Sequence, residues 1–200
     1  MKKTQNVLFF ILCGALSAVL LTCASTGGGQ GDGFGPGVPY VGDWFTFTDE
    51  NDKGSSTVRM EEIEVDGMKA YRFTGNVTTA FQYGFIGWFA EPDAATKELL
   101  KHARAISFQY IGDGQRMTVK YRISNVRDHA HFEYHFVGEA GEKDRVEVPV
   151  NFFQQPAWGT PVRMNKNNVE DISFQTHESW RRTPNNNPFT ITIWDLRVHP

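Results

Sequence analysis

The segment Asp128-His129-Ala130-His131-Phe132-Glu133-Tyr134-His135 sets three imidazoles and a carboxylate at alternate positions. In an extended chain same-face side chains recur every second residue, about 6.6–6.8 Å apart. His129, His131, Glu133 and His135 then share one face, and Phe132, Tyr134 and Phe136 the other. Such a face has three uses. It can stand in solvent as the polar side of a strand. It can bond the hydroxyls of a glycan through Asp128, His131 and Glu133. It can hold a metal through the His-x-His pair with Glu133. The spacing differs from the cupin pattern, where the Glu comes several residues after the second His. Lys120 and Arg122 fall on the polar side of the preceding strand, next to the histidines across a hairpin. Their charge would lower the histidine pKa values and leave neutral rings, which both donate and accept hydrogen bonds near pH 7.

Sugar recognition also needs planar rings to stack on C–H faces. Two aromatic clusters offer them. Phe81-Gln82-Tyr83-Gly84-Phe85-Ile86-Gly87-Trp88-Phe89 presents Tyr83 and Trp88 beside glycines that permit close approach. Gln154-Gln155-Pro156-Ala157-Trp158-Gly159 presents Gln155 and Trp158. Ser173 and Gln175, with His177 beyond, line the polar side of the penultimate strand. Most of the 16 Phe and five Trp are nevertheless expected to fill the core. Asp49, Asp52 and Asp195 lie toward the two chain ends, where sandwiches similar to this one often hold a structural calcium. Calcium takes six to eight oxygens, and these residues are too few to assign as ligands.

Catalysis finds little support. There is no Gly-x-Ser-x-Gly elbow, phosphate loop or HExxH motif. Glu133 and Asp128 are the one plausible carboxylate pair, and they belong to one strand end rather than to opposite walls of a cleft. The expected function is binding without catalysis.

The elements that must position these groups are strands. Met117, Val119, Tyr121 and Ile123 alternate with Thr118, Lys120 and Arg122. Ile106, Phe108 and Tyr110 alternate with Ser107 and Gln109, and Ile172 and Phe174 with Asp171, Ser173 and Gln175. A period of two marks strands with one side inward. Turn signals separate them at Asp66-Gly67, Gly112-Asp113-Gly114, Gly138 to Gly141 and Asn185 to Pro188. Only Asp93 to Arg104 reads as a helix, with Asp93 placed to cap it and Leu99-Leu100 to pack. The fold class is all-β, a sandwich or barrel with one short helix.

Met1-Lys2-Lys3, the apolar run from Val7 to Leu21 and Thr22-Cys23-Ala24 form an export signal. The apolar run is shorter than the ~20 residues of a membrane span. Both cysteines, Cys13 and Cys23, lie in or at the end of this leader. Ala24 to Gly37 is rich in Gly, Ser and Thr and suits a flexible tether. The net charge is −3; loss of Lys2 and Lys3 leaves 18 basic against 23 acidic residues, near −5. That balance argues against nucleic acid as a partner.

Four stretches resemble a galactose-binding-like jelly roll, and within it the family-11 carbohydrate-binding modules and the complex I intermediate-associated protein 30 family. They are Trp44 to Asp49 with Gly54 to Val58, Ala105 to Tyr110 with Gly112-Asp113-Gly114, Val146 to Phe153, and Ile172-Ser173-Phe174 with Phe189 to Val198. The resemblance implies a ligand on the concave face of a β-sandwich, touching Tyr83, Trp88, Arg122, Asp128, His131, Glu133, Gln155, Trp158, Ser173 and Gln175. Gln155 and Trp158 would stand where those families carry basic residues and a tyrosine, and Ser173 where they carry a histidine. Leu20-Leu21-Thr22-Cys23 resembles a bacterial lipobox of the looser spirochaete-like kind, since Thr22 replaces the usual Gly, Ala or Ser. The resulting expectation has residues 1–22 as a lipoprotein signal peptide, 23–38 as a lipidated cysteine and tether, and 39–200 as the sandwich. It describes a non-catalytic module in the cell envelope that binds carbohydrate or another polar ligand, with no cofactor apart from that calcium. Its contact with the membrane is through the lipid alone. An envelope or appendage assembly protein is the alternative, and a metal-dependent cupin-like enzyme the third reading. Mass spectrometry of the mature protein should find Cys23 at the N-terminus carrying acyl chains, and Cys23→Ser should abolish them.

Overall fold

The computed structural model describes residues 34–180 and 187–200. The leader, Cys23 and the tether as far as Gly33 lie outside the described residues, as do Asn185 and Asn186 of the last turn. Among the described residues no helix is long and apolar enough to cross a membrane.

The chain folds as strands β1 (Val38–Pro39), β2 (Gly42–Thr48), β3 (Thr57–Val65), β4 (Met68–Val77) and β5 (Phe85–Pro92), then helix α1 (Ala94–His102). Strands β6 (Ala105–Ile111), β7 (Met117–Ile123), β8 (Phe132–Phe136), β9 (Lys143–Pro149), β10 (Val169–His177) and β11 (Asn187–His199) follow. They form two antiparallel sheets. One has the order β3-β4-β11-β6-β9, with β1 added on β11; the other has the order β2-β5-β10-β7-β8.

The period-two strands fall as their sequences require. Met117, Val119, Tyr121 and Ile123 all face the core, at 3% exposure or less. Asp66 and Gly67 form the two-residue turn between β3 and β4, both with positive φ, which matches the right-handed twist of a hairpin. Asp93 caps α1 by accepting from the Thr96 amide at 2.7 Å, and Leu100 beneath it is fully buried. Burying the Leu100 side chain supplies about 1.5–3 kcal/mol, enough to hold a nine-residue helix too short to persist alone.

The two sheets are joined by stacked aromatics. Trp88 of β5 lies parallel to Phe73 of β4, with centroids 4.4 Å apart. It also stacks on Phe174 of β10 and Phe189 of β11, at 6.0 and 6.2 Å. Phe108 meets Phe174 edge-on at 5.1 Å.

The packed domain begins before Pro39, where the tether was expected to end. Arg197 donates to the carbonyls of Pro36 and Gly37, and His199 pairs with the carbonyl of Gly35. The Arg104 guanidinium lies 5.4 Å from the Phe34 ring. Residues 34–38 were read as leash because composition alone does not show that the strand beside them offers partners.

Asp49, considered above for calcium, is a fully buried structural hub. Its carboxylate accepts from the Ser56 amide at 3.0 Å, the Ser56 hydroxyl at 2.7 Å and the Phe85 amide at 3.3 Å. Gly54 is required beside it, because a Cβ there would fall 2.0 Å from the Asp49 carboxyl carbon. Asp195 holds a positive φ at an irregularity in β11 and bonds Arg197 at 2.7 Å. Asp52 sits exposed in the 3-10 turn after β2. Asp49→Ala strands three buried donors and should cost about 3 kcal/mol in a urea titration, a loss added calcium does not reverse.

Candidate functional site

On the five-stranded sheet, each inward aromatic fixes the direction of its neighbours. Trp44, Trp88, Phe174 and Val119 turn inward, so Phe45, Phe89, Ser173 and Lys120 turn outward. Register carries a row across the sheet from Phe45 to Phe89, Ser173, Lys120 and Glu133. A second row runs from Phe47 to Gly87, Gln175, Thr118 and His135. The outer face is therefore divided, aromatic on β2 and β5 and polar on β10, β7 and β8.

In the aromatic half, Phe45 stacks on Phe89 at 5.3 Å and remains 44% exposed. Gly87 leaves room for the Phe47 ring, which would lie 2.2 Å from a Cβ at that position. The Arg122 guanidinium packs over Phe89 at 5.6 Å.

The polar half, for which a solvated strand face was one of three readings, is largely buried. Thr118, Lys120, His131, Asp171, Ser173 and Gln175 all lie at or below 8% exposure. Lys120 donates to the Gln175 amide oxygen and lies 3.9 Å from Glu133. Glu133 also meets His135 at 3.3 Å, and His135 bonds Thr118 at 3.1 Å. Arg122 pairs with Asp171 at 3.2 Å and Glu170 at 3.5 Å. Three buried polar atoms on or beside this face find no hydrogen-bond partner among the described residues: His131 Nδ1, Asp171 Oδ1 and Ser173 Oγ. Buried polar groups are nearly always paired, so these stand out.

Burial sets the protonation states. It holds the His131 ring down at about 4, with Arg122 and Lys120 adding to the effect. It brings His177 to about 4 as well, with Lys120 contributing. The expected depression is present at His131, though burial rather than neighbouring cations is its first cause. Burial lowers Lys120 to about 8 against the pull of Glu133. It raises Asp171 to about 7 in spite of Arg122.

Of the residues singled out in sequence, Arg122, His131, Glu133, Ser173 and Gln175 come together here. Trp88 does not: it is fully buried in the inter-sheet stack, so the expectation of a ligand-facing ring is corrected. The signal lay in the parity of β5, where Ile86, Trp88 and Ala90 alternate with Phe85, Gly87 and Phe89. Asp128 and Gln155 act as loop clamps. Asp128 accepts from the amides of Thr160 and Ala130, and the Thr160 bond leads in holding its carboxyl below the usual range. Gln155 donates to the Thr160 carbonyl and accepts from the Val162 amide. Tyr83 and Trp158 stand on loops, 66% and 68% exposed. His129 has φ +64° and lies in the turn before β8, so the four-residue face loses its first member. Among the described residues no three of His, Cys, Asp or Glu gather as a metal-binding group.

Sequence reading missed Phe45, Phe89 and Trp180. The first two follow from the parity of Trp44-Phe45 and Trp88-Phe89. Trp180 does not, since its place over His177 at 4.4 Å and His135 at 5.1 Å depends on the fold.

A profile for complex I intermediate-associated protein 30 matches residues 39–193. The chain belongs to this family. Among solved structures, the family 11 carbohydrate-binding module of the cellulosomal cellulase Lic26A-Cel5E of Clostridium thermocellum aligns with a TM-score of 0.54. The identity is 16%, over 82% of this chain and 90% of the module. The family 11 module of that organism in complex with a β-1,3-1,4-mixed-linked tetrasaccharide gives the same score and identity, over 84% and 92%. No curated protein matches. At this identity the likeness is one of fold, and this member of the complex I intermediate-associated protein 30 family is a jelly-roll β-sandwich.

The titrating groups give opposite signs on acidification. His131 and His177 have folded pKa values below the ordinary histidine value, so the stability they contribute is lost as pH falls from about 6.5 toward 4. Asp171 has a raised value, so its protonation favours the fold as pH falls through about 7. Thermal midpoints should drop between pH 6.5 and 4. Replacing both histidines with Gln should flatten that drop, and Asp171→Asn should steepen it.

Proposed function

We propose that the outer face of the five-stranded sheet binds carbohydrate without turning it over. The observation that carries this reading is the exposed Phe45–Phe89 stack beside the polar rows, where Arg122 and His135 keep accessible surface. A sugar ring answers both: its C–H face covers the aromatic half, and its hydroxyls bond the accessible Arg122 and His135 at the edge of the polar half. Lys120 and Gln175, held together, present an ordered donor and acceptor at low conformational cost. The shared fold with modules named for carbohydrate binding supports the reading. Export and a lipid at Cys23 complete the proposal, with the domain in the cell envelope and a structural calcium left as an open addition.

Family membership favours one further reading, a role in assembly with other proteins. Val41 on the approach to β2 and Phe45 within it are 56% and 44% exposed, an apolar edge that a protein surface could cover. Affinity electrophoresis through soluble β-glucan, mannan and galactan separates the two. Retardation by one polysaccharide, weakened about five- to tenfold by Phe45→Ala, supports carbohydrate binding; a ring contact of this kind contributes about 0.5–1.5 kcal/mol. No retardation in any gel, with a stoichiometric protein partner co-purifying, would favour assembly.

A further inference from the structure

The outer face has already spent its positive charge. Lys120 stands beside Glu133, and Arg122 beside both Asp171 and Glu170. Acidic residues continue along the same end of the sheet, where Asp43 and Glu91 are cross-strand partners. Glu91 lies near enough to Asp171 to act on its charge. His131 and His177 add no positive charge near pH 7, because burial keeps them neutral. Lys120, Arg122 and, near Asp171, Lys97 thus face five carboxyl groups: Glu133, Glu170, Glu91, Asp43 and Asp171, the last raised to about 7 by burial. The groups left unpartnered are a hydroxyl, an imidazole nitrogen and a carboxyl oxygen, all suited to alcohols.

We infer that this face selects neutral, hydroxyl-rich glycans and rejects uronates and sulfated sugars, and that Glu133 and Glu170 set that choice. The inference rests on the carbohydrate reading and adds a ligand class to it. An arriving carboxylate can neither take Lys120 from Glu133 nor Arg122 from its two partners without leaving another anion unpaired. Like charges brought together in a partly dehydrated site are strongly unfavourable, and such repulsion is a common source of specificity. A neutral hydroxyl meets no such opposition. It leaves both ion pairs in place.

Calorimetric titration with matched probes tests this. The neutral set is the β-1,3-1,4-mixed-linked glucan tetrasaccharide, mannotetraose and galactotetraose. The acidic set is tetramannuronate and tetragalacturonate. Wild type should bind a neutral probe at least about tenfold more tightly than either acidic one. Glu133→Gln should gain about tenfold for an acidic probe, since it frees the Lys120 ammonium. Because a buried cation without its partner weakens the fold, Glu170→Gln serves as the second variant. Its half-exposed carboxylate can be removed without leaving Arg122 unpaired, and it should gain in the same direction. Acidic probes binding wild type as well as neutral ones would overturn the charge-based selection and leave carbohydrate binding standing. Acidic affinity unchanged in both variants would remove Glu133 and Glu170 as its source. Binding of no probe from either set would overturn the inference together with the reading on which it rests.

Discussion

The stack of Trp88 with Phe73, Phe174 and Phe189 fixes the structure on which the candidate site depends. It draws rings from both sheets into one layer, so β5 and β10 can take only one register. A slip of one residue would turn every side chain to the opposite face. Phe89, Ser173 and Gln175 would then enter the core, and Trp88 and Phe174 would face outward. Packing on one side of the sheet thereby determines the chemistry on the other.

That second side holds a large polar cost in check. Removing Lys120 from water is unfavourable, and its ion pair alone, at 3.9 Å, is too long to compensate. The Gln175 amide oxygen satisfies one ammonium donor, and Glu133 balances the charge. Arg122 achieves the same with two carboxylates and an aromatic face. With both cations paired and hydrogen-bonded, the network is held rigid.

Much of this was legible in the sequence where a local rule applied. Alternation in β7 and β10 gave the inward and outward sides, Asp93 marked the helix start, and Asp66-Gly67 marked a hairpin. Arg122, Glu133, Ser173 and Gln175 fell on the correct face for the same reason. Trp88 was misplaced because the resemblance of its segment to a ligand-facing family strand was weighed above its parity with Ile86 and Ala90. Burial of Lys120 was not legible, since it depends on rings and loops distant in sequence. Nor were the clamps made by Asp128 and Gln155, which join residues 128–162 through backbone groups that no pattern of side chains reveals.

The strap from Phe34 to Pro39 gives the domain a mechanical polarity. It lies along β11, the central strand of the six-stranded sheet, and is pinned there by Arg197 and His199. A pull on the chain ahead of Phe34 is therefore borne first by a two-residue ladder and a few side-chain bonds at the end of β11. The five-stranded sheet with its polar face is not in that line of force. Under such a pull the strap would peel from β11 before the five-stranded sheet distorts.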